Sequence, residues 1–245
     1  MTSILARNIK RYCAALGLDI SRARPENMVA ARRARYLLTS GITVVFDVGA
    51  NIGSYGEMIR ASGYSGKIIS FEPLAVPFEE LSRKTVCDTH WTGFRCALGS
   101  ADGEATINIA GNSVSSSVLP MTDTHTRVAP ESANIGTETI EIRRLDTVAA
   151  DILGSKDMPF IKIDVQGFEK DVLEGCGDLM NRIAGIEIEL SMVELYEGQL
   201  LFREIVDYLD DRGFCPVSFE RGLTDPISLQ VLQMDGIFLN NSISQ

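Results

Sequence analysis

From residue 42 onward, short apolar runs alternate with stretches that carry an apolar position every three or four residues. "ITVVFDV" (42–48) is apolar and β-branched almost throughout, which predicts a strand buried on both faces. "SYGEMIRAS" (54–62) has helical spacing and stops near Gly63. "GKIISFEP" (66–73) and "VPFEELSRKT" (76–85) repeat the strand and the helix. Later, "PFIKIDV" (159–165) precedes the helix "GFEKDVLEGC" (167–176), and "AGIEIEL" (184–190) precedes "LLFREIVDYLDDRG" (200–213). "THWTGFRCAL" (89–98) reads as one more strand, and "EATINIA" (104–110) and "ETIEIRRL" (138–145) as edge or hairpin strands.

This alternation predicts an α/β fold with a mostly parallel central sheet and helices on both faces. The tail beyond Gly213 holds two strand-like runs with no helix between them, which adds an antiparallel strand at one edge. Two helices, near residues 3–17 and 26–39, form an N-terminal extension over 1–40, with Pro25 suited to the first turn of the second. Residues 41–245 are expected to form a single domain. Within it, the polar, weakly periodic stretch 110–138 is a candidate lid or substrate loop.

The 245 residues carry a net charge of −10, which disfavours nucleic acid as a partner. The exception is the basic stretch holding Arg22, Arg24, Arg32, Arg33 and Arg35, expected to be a solvated helix face. No run is long and apolar enough for a membrane span, and the N-terminus lacks the uninterrupted apolar core of a secretory signal. The five cysteines are scattered and form no CxxC pair, so neither a disulfide framework nor a thiolate zinc site is expected. These features point to a cytoplasmic protein; homo-oligomerisation is left open.

The candidate chemistry begins at "FDVGANIG" (46–53), where a strand meets a helix. Gly49 and Gly53 allow a sharp turn and close backbone approach, and Asn51 tolerates a left-handed conformation. The pattern is neither GxGxxG nor a P-loop, and Asp47 just before the turn would repel a diphosphate. Glu72, at the end of the next strand, is placed to accept both hydrogen bonds of a ribose diol. A ligand with a ribose, a positive centre and no phosphate fits both acids. S-adenosylmethionine has those properties.

"FDVGANIG", "SFEP", "RCALGSADG", "RRLD", "FIKIDVQGFEKDVLEG" and "QMDGIFL" follow in an order and spacing that resemble the FkbM-type methyltransferases. The resemblance spans roughly residues 42 to 240 and is most specific at "IKIDVQGFE". It implies a Rossmann-like class I methyltransferase fold and O-methylation of a sugar, polyketide or similar natural product with S-adenosylmethionine. Asp47, Gly49, Asn51 and Gly53 would hold the methionyl part, Glu72 and Pro73 the ribose side, and Ala97 and Leu98 the adenine.

Methyl transfer to an alcohol needs an aligned oxygen and an acceptor for its proton. Lys162 and Asp164 share one face at the end of a buried strand, and Glu187 and Glu189 repeat the arrangement on the next. Asp164 or Glu189 could be the base, or both could hold a magnesium ion. A third device is His125, brought in by the polar loop. His90 is expected to be structural. The acceptor is read as a small molecule or saccharide, with a phenolic or carboxylate metabolite as the alternative. An NAD-dependent oxidoreductase and a catalytically silent binding protein are the rivals from other classes.

Overall fold

The computed structural model describes residues 4–18 and 29–243. Pro25, Arg22 and Arg24 lie outside the described residues. Two helices, α1 (Ile4–Ala15) and α2 (Val29–Thr39), precede the sheet. The alternation then runs β1 (Val44–Val48), α3 (Ser54–Ala61), β2 (Lys67–Phe71), α4 (Ala75–Thr85) and β3 (Trp91–Phe94). After an excursion described below, β7 (Pro159–Ile163), α7 (Glu169–Gly175), β8 (Gly185–Ser191) and α8 (Phe202–Asp210) continue it. The strands β9 (Phe214–Arg221) and β10 (Gln233–Asn240) close the chain.

These seven strands form one sheet in the order β3-β2-β1-β7-β8-β10-β9. The first five are parallel, and β10 is antiparallel to both β8 and β9. The expected antiparallel strand is thus β10, which the final hairpin inserts beside β8 while β9 takes the edge. Strand order reverses between β1 and β7, so a crevice opens beyond their carboxyl ends. The expected α/β architecture, a mostly parallel sheet with an antiparallel strand and helices on both faces, is present.

Alternation along the strands explains the two layers. Val44, Phe46 and Val48 of β1 face one core with Val172 and Leu173 of α7 and Ile205 and Leu209 of α8. Val45 faces the other, with Leu37 of α2, Ile59 of α3 and Leu81 of α4. β1 is therefore buried on both sides, as its composition predicts.

Between β3 and β7 the chain builds a second sheet, in which the two strands expected at an edge or in a hairpin pair antiparallel to each other. β4 (Ala97–Leu98), β5 (Gly103–Ala110) and β6 (Asn134–Arg143) pair in the order β4-β6-β5. "THWTGFRCAL" is accordingly two strands in two sheets, split at Arg95 and Cys96. The helices α5 (Asp123–Val128) and α6 (Leu145–Ile152) complete the excursion and were not foreseen from the sequence.

Arg33 corrects the expectation of a solvated face. It is buried, and its Nε donates to Glu187 Oε1 at 2.7 Å and Oε2 at 2.8 Å, while its Nη2 also pairs with Glu187. The Tyr55 ring lies under the guanidinium, 5.6 Å from its centroid. Removing one partner of a buried pair leaves the other charge uncompensated, which costs about 3–5 kcal/mol. Arg33→Ala should therefore lower unfolding free energy in urea by about that amount, whereas exposed Arg7→Ala should stay within about 0.5 kcal/mol. Equal midpoints for Arg33→Ala and wild type would show that the pair contributes nothing.

Candidate active site

Four strands carry a polar–apolar pair followed by a residue at the crevice: Ser70-Phe71-Glu72, Asp47-Val48-Gly49, Lys162-Ile163-Asp164 and Glu187-Ile188-Glu189, the third residue being an acid in all but the second. The parallel register aligns the first members into one row, Ser70, Asp47, Lys162 and Glu187, across β2, β1, β7 and β8. The apolar members turn to the opposite core, so this row lies on the α2/α3 face. The third members stand at the crevice. One row supports the other.

In the supporting row, Ser70 Oγ donates to Asp47 Oδ2 at 3.0 Å and accepts from Trp91 Nε1 at 2.9 Å. Lys162 Nζ lies 3.8 Å from Asp47 Oδ1 and 3.3 Å from Asp164 Oδ2, and donates to the Gly49 carbonyl at 3.3 Å. Burial pulls the Lys162 ammonium down, but Asp164 and Asp47 outweigh it and the net shift is upward. Asp47 has no exposed surface and lines none of the cavities. It acts beneath the turn, not on the crevice side where a ligand would lie.

The turn itself needs its glycines. Gly49 has φ 75°, and a Cβ there would come 1.9 Å from the Asp164 carbonyl oxygen. Gly53 (φ 83°) packs on Leu81 and Trp91, away from the crevice. Asn51 (φ 48°) donates its backbone N–H to Glu72 Oε2 at 2.8 Å, and Leu74 N–H donates to Oε1 at 2.9 Å. Each Glu72 oxygen keeps a second acceptor site, so the carboxylate can still take two hydrogen bonds from a ligand. Gly49, Asn51, Glu72, Pro73, Ala97 and Leu98 line one cleft together, and Asp164 closes its inner end.

Beyond β7, "DVQGFE" makes a second turn. Glu169 accepts from Val165 N–H (3.3 Å) and Gly167 N–H (3.1 Å), fixing the start of α7. Gln166 adopts φ 57°, and its Nε2 donates to Asp164 Oδ1 at 2.7 Å and Glu189 Oε2 at 3.0 Å. Its Oε1 lies 2.8 Å from the Tyr196 hydroxyl, and the amide orientation follows because only the NH2 side can donate to the Asp164 carboxylate. Gln166 was missed from the sequence. The signal was there: two acids on adjacent strand ends need a shared donor.

The stretch 110–138 is an ordered cover. Ser117 Oγ donates to the Gln166 carbonyl (2.6 Å), the Tyr196 hydroxyl lies 2.9 Å from the Ser115 carbonyl, and Asn51 Nδ2 donates to Ser113 Oγ (3.3 Å). Its helix α5 brings His125 over the strand ends, buried, with the ring edge-on to Tyr196 at 5.1 Å. His125 Nδ1 is buried without a hydrogen-bond partner. Burial lowers its pKa, with Glu131 offsetting part of the effect, so the ring is neutral at pH 7. His125, Asp164, Gln166 and Glu189 line one cavity. Lys162 lines another, with Arg33, Asp164, Glu187 and Asp235. Asp164 borders all three spaces, and His90 borders none of them.

The magnesium pair expected of Asp164 and Glu189 is not what the geometry builds. The Gln166 amide occupies the position between them, and Gln233 Nε2 donates to Glu189 Oε2 at 2.7 Å. Among the described residues no group of three or more His, Cys, Asp or Glu side chains is arranged to hold a metal ion. Also among them, no helix is long and apolar enough to cross a membrane.

With this geometry in hand, comparison with known proteins gives a consistent set of relatives. The Methyltransferase FkbM domain matches residues 47–215. The "Methyltransferase sdnD" of Sordaria araneosa is 24% identical over 192 residues, spanning 69% of this chain and 73% of its own. The "2-O-methyltransferase NoeI" of Sinorhizobium fredii is 36% identical over 95 residues, spanning 39% of this chain and 38% of its own. Among solved structures, an rRNA methylase from Streptococcus thermophilus aligns with a TM-score of 0.48 at 12% identity, covering 90% of this chain and 99% of that one.

The acid cluster has a measurable consequence. Burial pushes Glu72, Glu169 and Asp235 each up to about 7, and raises Glu189 well above the carboxylate range. The folded chain then binds more protons than the unfolded chain between the ordinary carboxylate range and pH 7, so stability falls as pH rises through that window. His125, with its lowered pKa, opposes this as one group against four. The ligand-free protein should therefore resist urea better at about pH 5.5 than at about pH 7.5, with a shallower slope in Glu169→Gln. A stability that climbs over this interval would contradict the burial of these acids.

Proposed function

The chain belongs to the Methyltransferase FkbM domain family, and from that premise we propose that it transfers a methyl group from S-adenosylmethionine to a hydroxyl of a sugar or glycosylated natural product. The observation that carries this reading is the position of Asp164, where the Glu72 cleft meets the His125 cavity. Donor and acceptor sites must share a wall at the reacting atoms, and Asp164 is that wall.

The residues fit the cofactor. Glu72 keeps two acceptor sites for the ribose diol, and Leu74, Ala97, Leu98 and Phe168 give an apolar slot for a purine. The adjoining space offers both Lys162 and Asp235, suited to the two charges of an amino-acid end. When bound, the cofactor supplies an electrophilic methyl on a sulfonium. On the protein side, Gly49 lets the backbone approach, and Asp47 and Lys162 fix the turn as positioning residues. His125 Nδ1, buried, neutral and unpartnered, takes the acceptor hydroxyl proton. Gln166 holds Asp164 and Glu189 in place, and the cover over 110–138 keeps water from the reacting atoms.

The NoeI name supports O-methylation in particular, over the stretch where the two chains match. Membership of a methyltransferase family sets aside the oxidoreductase alternative, and the intact Glu72 cleft and His125 cavity speak against a silent binding protein.

Two experiments test the reading. Calorimetric titration with S-adenosylmethionine and S-adenosylhomocysteine should show binding, weakened about 10- to 100-fold in Glu72→Gln by the loss of charge-assisted hydrogen bonds. A diol donates to the ionised carboxylate, so binding should release a proton near neutrality and affinity should fall as pH drops below about 7. Affinity that is flat across that range would remove Glu72 from the ribose site. In methyl-transfer assays, His125→Asn should lower kcat about 100- to 10,000-fold while S-adenosylhomocysteine affinity is kept. Unchanged kcat would place the base elsewhere.

A further inference from the structure

Within the cavity beside Asp164, the hydrogen-bonding groups are unevenly distributed. Its polar lining includes Asn112, His125, Glu131, Asp164, Glu189 and Gln233, and among the described residues no Arg or Lys borders it. Several of the side-chain N–H groups are already engaged. Gln166 Nε2 is used by Asp164 and Glu189, Gln233 Nε2 by Glu189, and Asn112 Nδ2 by Ser115 Oγ. The acceptors that remain include the Asp164 oxygens, the Gln233 carbonyl and His125 Nδ1. The donors left beside them are all neutral: the Ser115 hydroxyl, the second N–H of the Gln233 and Asn112 amides, and the single N–H of the neutral His125 ring.

We propose that this cavity selects a non-anionic, hydrogen-bond-donating polyol as the methyl acceptor, tolerates an ammonium group on it, and rejects acceptors that carry a carboxylate or phosphate. The inference rests on the methyltransferase reading above and narrows its acceptor class. An anion placed here would meet the Glu131, Asp164 and Glu189 carboxyl groups, with Lys162 already committed to Asp164 and Asp47 outside the lining, so its oxygens would exchange water for neutral donors alone. A sugar ring with several hydroxyls can donate to each of the remaining acceptors, and an ammonium adds attraction to the same groups. The carboxylate-metabolite alternative is disfavoured by the same charge balance.

The test is a charge series on one ring: the methyl β-glycosides of glucose, glucosamine and glucuronic acid, titrated into protein saturated with S-adenosylhomocysteine and followed by ligand-observed NMR. The glucoside and glucosaminide should bind, and the glucuronide should bind at least about 10-fold more weakly. Glu131→Lys, at the exposed mouth and outside the catalytic machinery, should narrow that gap by admitting the glucuronide. Glucuronide binding equal to the glucoside in wild type would overturn the proposal. So would a protein that holds S-adenosylhomocysteine and binds none of the three. Failure to hold S-adenosylhomocysteine would instead strike the methyltransferase reading beneath it.

Discussion

The Lys162 ammonium is the interaction on which the site depends. It stands in a sheet whose carboxyl ends gather Asp47, Asp164, Glu187, Glu189 and Asp235, and it contacts two of these acids and the Gly49 carbonyl at once. Without it, Asp47 would be a carboxylate of zero exposure with no opposite charge beside it, a state that proteins escape by neutralising the group or losing stability. Arg33 does for Glu187 what Lys162 does for Asp47 and Asp164. Two cations, one from a central strand and one from a helix ahead of the sheet, hold five acids in an interior that would otherwise expel them.

That balance leaves the crevice acidic, since Lys162 and Arg33 are held by Asp47 and Glu187 beneath it while Asp164 and Glu189 stand at its edge. Gln166 then joins the halves. Its side chain donates to the acids of β7 and β8, while its carbonyl receives Ser117 from the cover. A residue at φ 57° is strained for anything but glycine or asparagine, at a level of about 1–3 kcal/mol. Here the strain aims one amide at two carboxyl groups, and Gly167 beside it must lack a Cβ because Tyr196 sits 2.8 Å from where that atom would be.

Much of this was legible beforehand, and the reasons are local. The strands of the main sheet announce themselves because burial on both faces demands apolar runs, and the polar residue closing each run marks where the sheet meets solvent or ligand. Gly49, Asn51 and Glu72 could be read because turn conformation and strand-end position are short-range properties. Arg33 could not be read from its neighbours, which are also arginines. Its burial follows from Glu187, 154 residues away, whose charge needed a partner. That β4, β5 and β6 form a sheet of their own could not be read, because they have the composition of edge strands in either arrangement. The His125 position depends on how a polar segment docks, which no periodicity encodes.

The chain has one tryptophan, Trp91. Its indole ring packs beneath Gly53 and Gly56, and its N–H leads through Ser70 to Asp47, so the single strong fluorophore is wired to the underside of the Gly49–Gly53 turn. Few proteins offer an optical signal so localised without a label. Quenching or a spectral shift of that indole reports on the turn alone, in solution and in real time, with no background from a second indole.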